Sequence, residues 1–274
     1  MIYHPLASFL VEIIEQKSIR YSKDINELNF IQSSVGTAER FAGISVTTFA
    51  KSVKQALLGS FKGTLYTSTI LNKIEEEKFG TSFGKLLFNP IDCYTNICRG
   101  FPQFGCSFLL QDKDKNGMEN IFSLIYLFQT QEIIYSDAFS SYVRGRPIKS
   151  VIRKNPKIAI ASCNSLSIKY PPEFFGKFMQ IQASNSIISD IHSLSKGKID
   201  AISFTQTPLT QILPVEMLAK ALRICLNPLP FTEISSNIDG KMIDIFYANK
   251  QLHDELTKEP TPSISLNSNL IRPI

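Results

Sequence analysis

The sequence predicts a mixed α/β fold: helical at its start, antiparallel in its middle, and alternating strand with helix towards its end. Three observations carry that expectation. Apolar residues recur at helical spacing in two stretches up to Phe61. From Gly105, β-rich runs are separated by turn residues. Beyond Lys157, strand-like and helix-like stretches take turns, as elements packed in layers do.

In order, Leu6, Phe9, Leu10, Ile13 and Ile14 define a first helix that accepts Pro5 in its first turn and is expected to end near Ser18. Arg20 to Gly43 is polar and weakly patterned. Thr47 or Thr48 is expected to cap a second helix with Phe49, Val53, Ala56, Leu57 and Phe61 on one face and Gly63 just past its end. Ile70, Leu71 and Ile74 suggest a short helix whose solvated end is the acidic run Glu75 to Glu77. Strands are expected at Cys106 to Leu110, Ile121 to Phe128 and Glu132 to Tyr135, with a hairpin loop from Asp112 to Gly117. Lys157 to Ser162 alternates as a strand does, and Asn185-Ser186 caps a helix that stops at Gly197. Ile199 to Phe204 reads as a strand. Leu209 to Ile224 reads as a helix with a bend or a later start at Pro214. Met242 to Tyr247 and Asn249 to Leu256 are a last strand and helix. Residues 1–150 form an N-terminal half and 151–258 a smaller C-terminal half of what is expected to be one unit. The Ser-, Pro- and Asn-rich tail 259–274 is expected to be disordered.

Bulk properties exclude several classes. The net charge of +5 is spread along the chain and gives no argument for direct nucleic-acid contact. No apolar run approaches the roughly 20 residues of a membrane span. The opening MIYHPLASFL lacks the basic region and cleavage site of a signal peptide, so a soluble cytoplasmic protein with no membrane partner is expected. Cys93, Cys98, Cys106, Cys163 and Cys225 are odd in number and without CxxC spacing. They read as reduced, mostly buried thiols, not as a disulfide framework or zinc site.

The most informative stretch is Asn89 to Leu110, NPIDCYTNICRGFPQFGCSFLL. Pro90 biases Asn89 towards extended backbone, and Asp92 and Asn96 can bond their own local backbone into a turn. This stretch resembles the signature of the inositol monophosphatase family, Asp-Pro-Ile-Asp-Gly-Thr-Thr-Asn followed by a Gly-Phe-Pro turn and a strand. Pro90, Ile91, Asp92, Thr95, Asn96, Gly100, Phe101 and Pro102 match in order. Asn89, Cys93 and Tyr94 stand where the family has Asp, Gly and Thr. Further likeness lies in Ala138-Phe139 with Arg144 to Lys149, in Ser186 to Asp190 followed by Gly197 to Asp200, and in Ala248-Asn249 with Leu252, His253 and Leu256. The resemblance is closest to the bacterial SuhB-like branch. It implies a layered α/β/α/β/α sandwich with mixed and antiparallel sheets, and a homodimer.

The family hydrolyses phosphate monoesters with bound Mg²⁺, and the resemblance therefore implies where carboxylates should stand. Multi-metal hydrolysis needs several of them converging on one point. Here Arg40 and Val46 occupy the first acidic positions, and Thr67 the position in the family's Gly-Glu-Glu loop. Asn89 replaces an Asp of the signature, and the late Trp-Asp position falls on Gln206-Thr207. Asp92 alone is kept. The vestigial metal and phosphate site is thus expected at Asp92, Asn89, Ile91, Tyr94, Thr95, Thr67 and Thr207, with Ile187 and Ile188 narrowing a vestigial substrate pocket. The expectation is a pseudophosphatase with a scaffold or regulatory role, no catalytic residue, no bound metal or other cofactor, and a protein partner. Two alternatives stand beside it: a Mg²⁺-dependent phosphomonoesterase that recruits Asp92 or Glu75 to Glu77 differently, and a SuhB-like partner of transcription or ribosomal RNA machinery. No Ser-His-Asp or Cys-His grouping is legible, and His192 reads as a packed residue.

Overall fold

Two long helices open the chain in the computed structural model, which describes residues 5–31, 35–80, 84–114, 117–137, 140–143, 146–148, 153, 155–169, 173–224 and 229–257. Helix α1 (Pro5–Ile31) runs well past Ser18, and α2 (Val35–Leu57) begins inside the stretch expected to be unpatterned. The face that α2 buries is Ala38, Ala42, Val46, Phe49, Val53 and Leu57, spaced by threes and fours. Its first half uses alanine, which is why the hydropathy pattern is faint there. In α1 the same role falls to Ser18, whose hydroxyl donates to the Tyr126 hydroxyl at 2.9 Å, and to Tyr21, whose ring stacks on Phe49 at 4.7 Å.

Strands β1 (Gly63–Ser68), β2 (Ile74–Phe79) and β3 (Lys85–Asn89) follow. Gly63 does not end a helix; it starts β1 at φ +149°, where an added Cβ would lie 2.2 Å from the Gly84 carbonyl oxygen. The acidic run is likewise a strand rather than a helix end. β2 pairs antiparallel with β1, so that Glu75 and Glu77 share one face and both bind Lys54 of α2, the first at 2.8 Å. After β3 come the short helix α3 (Tyr94–Cys98) and the strands β4 (Gly105–Asp114), β5 (Gly117–Leu127), β6 (Glu132–Asp137), β7 (Ser141–Val143) and β8 (Arg146–Pro147). These form one sheet in the order β2-β1-β3-β4-β5-β6-β7-β8, antiparallel except where β1 lies parallel to β3.

The second half supplies β9 (Ile160–Cys163), α4 (Ser165–Lys169), β10 (Gln180–Ala183), α5 (Ile187–Ser195), β11 (Ala201–Pro208), α6 (Leu209–Ala221), β12 (Met242–Ala248) and α7 (Lys250–Thr257). Its sheet has the order β10-β9-β11-β12, parallel except for β12. Ser186 caps α5 by accepting from the Ser189 amide at 3.1 Å. Alternation along the strands builds the layers. Leu86, Phe88, Phe108 and Phe122 face α1 and α2, whereas Leu87, Leu109 and Ile125 face α5 and α6 on the other side. Beyond those helices lie Ile202, Phe204, Ile245 and Tyr247 of the small sheet, whose far face packs Ala161, Ala201 and Ala248 against Leu252 and Leu256 of α7. The expected α/β/α/β/α layering is the one observed.

Helix α6 does not start late at Pro214; it runs through it. Proline lacks the amide that would bond the Thr210 carbonyl one turn back, so that oxygen needs another donor. Ala138, Phe139, Arg144, Gly145 and Lys149 of the expected hairpin, Asn116, Cys225 and the tail 259–274 lie outside the described residues. Among the described residues, no helix is long and apolar enough to cross a membrane.

Candidate functional site

A cavity of about 300 Å³ opens where the loop after β3, the β1–β2 turn, the end of β11 and the start of α6 meet. Its floor is Ile91, Asp92 and Cys93, with Tyr94 and Thr95 beside them. Its walls are Asn72, Asn185, Gln206, Thr207 and Gln211, with the ring of Phe204 behind. Five of the residues expected at the site, Ile91, Asp92, Tyr94, Thr95 and Thr207, therefore share one cavity. Thr67 lines a separate cavity of about 140 Å³ between α2 and β1, in company with Lys54, Glu75 and Pro90. Asn89 is wholly buried and lines neither. Ile187 and Ile188 are buried in the core between the sheets, where Ile188 packs on the bare Cα of Gly105.

Asp92 is a long-range clamp, not a local turn former. Its Oδ1 accepts the Gly105 amide at 2.8 Å, and its Oδ2 accepts the Ser186 hydroxyl at 2.6 Å and the Ile188 amide at 3.0 Å. One carboxylate thus ties the signature loop to the start of β4 and to the first turn of α5, whose free amides suit an acid. Burial pushes its pKa up to about 6, and those three hydrogen bonds offset only part of the effect.

Asn89 answers the orphan in α6. Its Nδ2 donates to the Thr210 carbonyl at 2.6 Å and to Ser107 Oγ at 3.1 Å. The Thr210 carbonyl facing residue 89 is an acceptor only, which an amide N–H can satisfy and a carboxylate cannot, while Oδ1 of Asn89 is buried without a hydrogen-bond partner. Tyr94 is drawn away from the cavity at its tip: its hydroxyl donates to the Glu39 carbonyl on α2. Burial, with Asp92 adjacent, pushes the Cys93 thiol up to about 12, so it carries no thiolate at neutral pH. The four described cysteines are buried and unpaired.

Asp190 and Asp200, the other acids of the matched segments, are buried outside the cavity. Asp190 on α5 is buried with no hydrogen-bond partner of normal geometry for Oδ2, and burial pushes it up to about 7, the neighbouring Ser184 and Ser162 hydroxyls offsetting part of this. Asp200 accepts from the Ile160 amide at 2.9 Å and from Arg153 at 3.2 Å. His192 binds Glu132 Oε2 at 2.8 Å, and burial lowers its pKa.

The walls differ in kind. Asn72, Asn185 and Gln206 have left-handed φ of 58°, 56° and 52°. At Gln206 the cause is a bulge in β11, held by the Gln206 amide on Asp244 Oδ1 at 2.7 Å, which turns Thr207 inward. Thr207 Oγ1 is buried and has no hydrogen-bond partner. Asn72 and Gln211 escape a sequence reading altogether. The only signal for Asn72 is an Asn in a turn between two strands, and for Gln211 there is none.

No protein-family model matches the sequence, and no curated protein matches it either. Solved structures do share its fold. The extragenic suppressor protein SuhB of Bartonella henselae superposes with a TM-score of 0.70 over 93% of this chain and 97% of its own, at 12% identity. Inositol monophosphatase II of Staphylococcus aureus gives 0.69 over 93% and 94%, at 15% identity. A Thermotoga maritima inositol monophosphatase gives 0.60 over 77% and 79%, at 14% identity. The fold is of the inositol monophosphatase type.

That fold implies Mg²⁺, and the residues here do not fit it. A hard cation needs carboxylate oxygens left open towards it. Asp92 spends both of its oxygens on protein donors, position 89 presents an N–H to its surroundings, and Thr67 and Thr207 are neutral. Among the described residues no group of three or more His, Cys, Asp or Glu is placed to hold a metal ion.

Proposed function

We propose that this chain is a non-catalytic protein on the inositol monophosphatase fold, a pseudophosphatase whose regulatory or scaffold role is exerted by binding, as a homodimer or through a protein partner. The observation that carries this reading is Asn89. Its amide is bonded into the gap that Pro214 opens in α6, so loss of the acid at that position is built into the packing of the helix. The alternative that enlists the acidic run is disfavoured because Glu75 and Glu77 already hold Lys54.

Phosphate release from inositol monophosphate, measured with purified chain in millimolar Mg²⁺, is expected to stay at the blank. Asn89→Asp is expected to lower stability by about 2 kcal/mol or more, since it sets a carboxylate against the Thr210 carbonyl. Mg²⁺ should not restore the loss in a denaturant titration. Turnover by the parent chain, or rescue of the variant by Mg²⁺, would contradict the proposal.

A further inference from the structure

The small sheet ends on one side at β10, and we propose that this edge is a docking surface for the chain's own C-terminal segment, which lies along it as a fifth strand centred on Ile264 and Leu266.

The surface is incomplete in two respects. Among the described residues no strand pairs with the outer side of β10, and all four of its residues are exposed. A bare edge of this kind is a template for another strand. The far face of the sheet is also covered on one side only. Register sets Ile181, Ala161, Ala201 and Ala248 in one row across the four strands. Leu252 and Leu256 of α7 bury the three alanines completely. Ile181 is 38% exposed, and Met179, two residues before it on the same face, is 56% exposed. The edge is therefore an apolar shelf, continuous with the core under α7 and open beyond it.

The course of α7 points to the occupant. The helix starts just after β12 and packs over β11 and β9. Its end is fixed beside the start of β10, because the Leu256 carbonyl accepts from Lys177 Nζ, the last residue of the single helical turn Glu173–Lys177 that precedes Met179. The chain then continues from Lys258 to Ile274. Pro260 and Pro262 oppose further helix and favour extended backbone. Ser263-Ile264-Ser265-Leu266-Asn267 alternates polar and apolar residues, as a strand with one buried face does. Its two apolar side chains have the same spacing as Met179 and Ile181. Ile264 stands eight residues beyond Leu256, a reach of up to roughly 25 Å when extended, whereas the four residues of β10 span about 13 Å. A segment entering from that end runs parallel to β10, as β10, β9 and β11 already run to one another. Tethering also gives it an effective concentration on the order of millimolar, which a strand from a separate chain must exceed.

Hydrogen exchange of the full chain, read over Gln180–Ala183, tests this. Exchange is expected to be at least about tenfold faster in the Ile264→Asp/Leu266→Asp double variant, with β5 unchanged as the check on the fold. If β5 also quickened, the milder Ile264→Ser/Leu266→Ser change is read in its place. A synthetic peptide of residues 260–270 should bind the double variant saturably and slow its β10 exchange again. It should bind the parent chain at least about tenfold more weakly, since the parent's own segment holds the edge. Adding Ile181→Asp to the double variant should abolish peptide binding. Equal exchange in parent and variant, or no binding of the peptide to the variant, overturns the inference. Protection in the parent that falls on dilution would assign the edge to a second copy of the chain and overturn it as well.

Discussion

The floor and the wall of the cleft treat their polar groups in opposite ways. On the floor, Asp92 is absorbed into the fold by three donors that converge on its carboxylate, and Asn89, buried and lining no cavity, donates to two acceptors while its Oδ1 has no partner. On the wall, three carboxamide residues are held in left-handed backbone, and a buried hydroxyl is left without a partner. Folding alone favours the arrangement around Asp92 and penalises the one at Thr207. Of the positions where the resemblance implies metal ligands, Asp92 has thus become structural, whereas Thr207, at the late acidic position, keeps an unpaired hydroxyl.

The comparison can be broken most sharply at Asp92. Asp92→Ala strands the Gly105 and Ile188 amides and the Ser186 hydroxyl in a buried place, and each unsatisfied group costs about 1–3 kcal/mol. A loss on the order of 3–5 kcal/mol is expected in urea unfolding. A loss below about 1 kcal/mol would mean that the carboxylate is free of these duties and open to a ligand after all.

Acidity tests the floor next. Burial raises Asp92 to about 6 and Asp190 to about 7, against about 4 for an unfolded Asp. Between those limits the folded chain binds more protons than the unfolded one. Their contribution to stability is therefore fully present below the unfolded value and is lost as pH rises through about 6 and then about 7. Asp190, whose Oδ2 has no partner of normal geometry, should dominate the upper part of the window. Asp190→Asn is expected to raise stability by about 2 kcal/mol at pH 8 and to change little at pH 5. An equal effect at both pH values would sink this account of a carboxyl penalised for its charge.

How much of this was legible in the sequence follows from how local each signal is. The Ser186 cap and the turn at Gly197 are contained within a few residues and were readable there. The neutral residues at Thr67, Asn89 and Thr207 were readable too, because a missing acid needs no coordinates to be seen. What they now do was not. The Asn89 bond to Thr210 spans 121 residues, and the Asp92 bond to Ile188 spans 96. Nothing in either local stretch encodes a partner so distant. β2 misled for a different reason: Ile70, Leu71 and Ile74 have helical spacing and glutamate favours helices. Pairing with β1 and the shared hold on Lys54 override that preference. At Ser18 of α1 and at Ala38 and Ala42 in the first half of α2, small residues carry the buried face, so the period is present there but its amplitude is low.

The smallest effect probes the wall itself. Gln206 is exposed, yet its backbone sits at φ 52°, a region costly for a residue with a Cβ. Gln206→Gly removes that strain while keeping the amide that bonds Asp244, and should stabilise the chain by about 0.5–1 kcal/mol, less what glycine adds to the freedom of the unfolded state. Gln206→Ala keeps the strain and loses the same carboxamide, so it should give no gain in thermal or urea unfolding. If the bulge holds residue 206 under strain, the two variants should differ in stability. Equal stabilities would show that the bulge imposes no strain on residue 206, and the contrast between wall and floor would then rest on Thr207 alone.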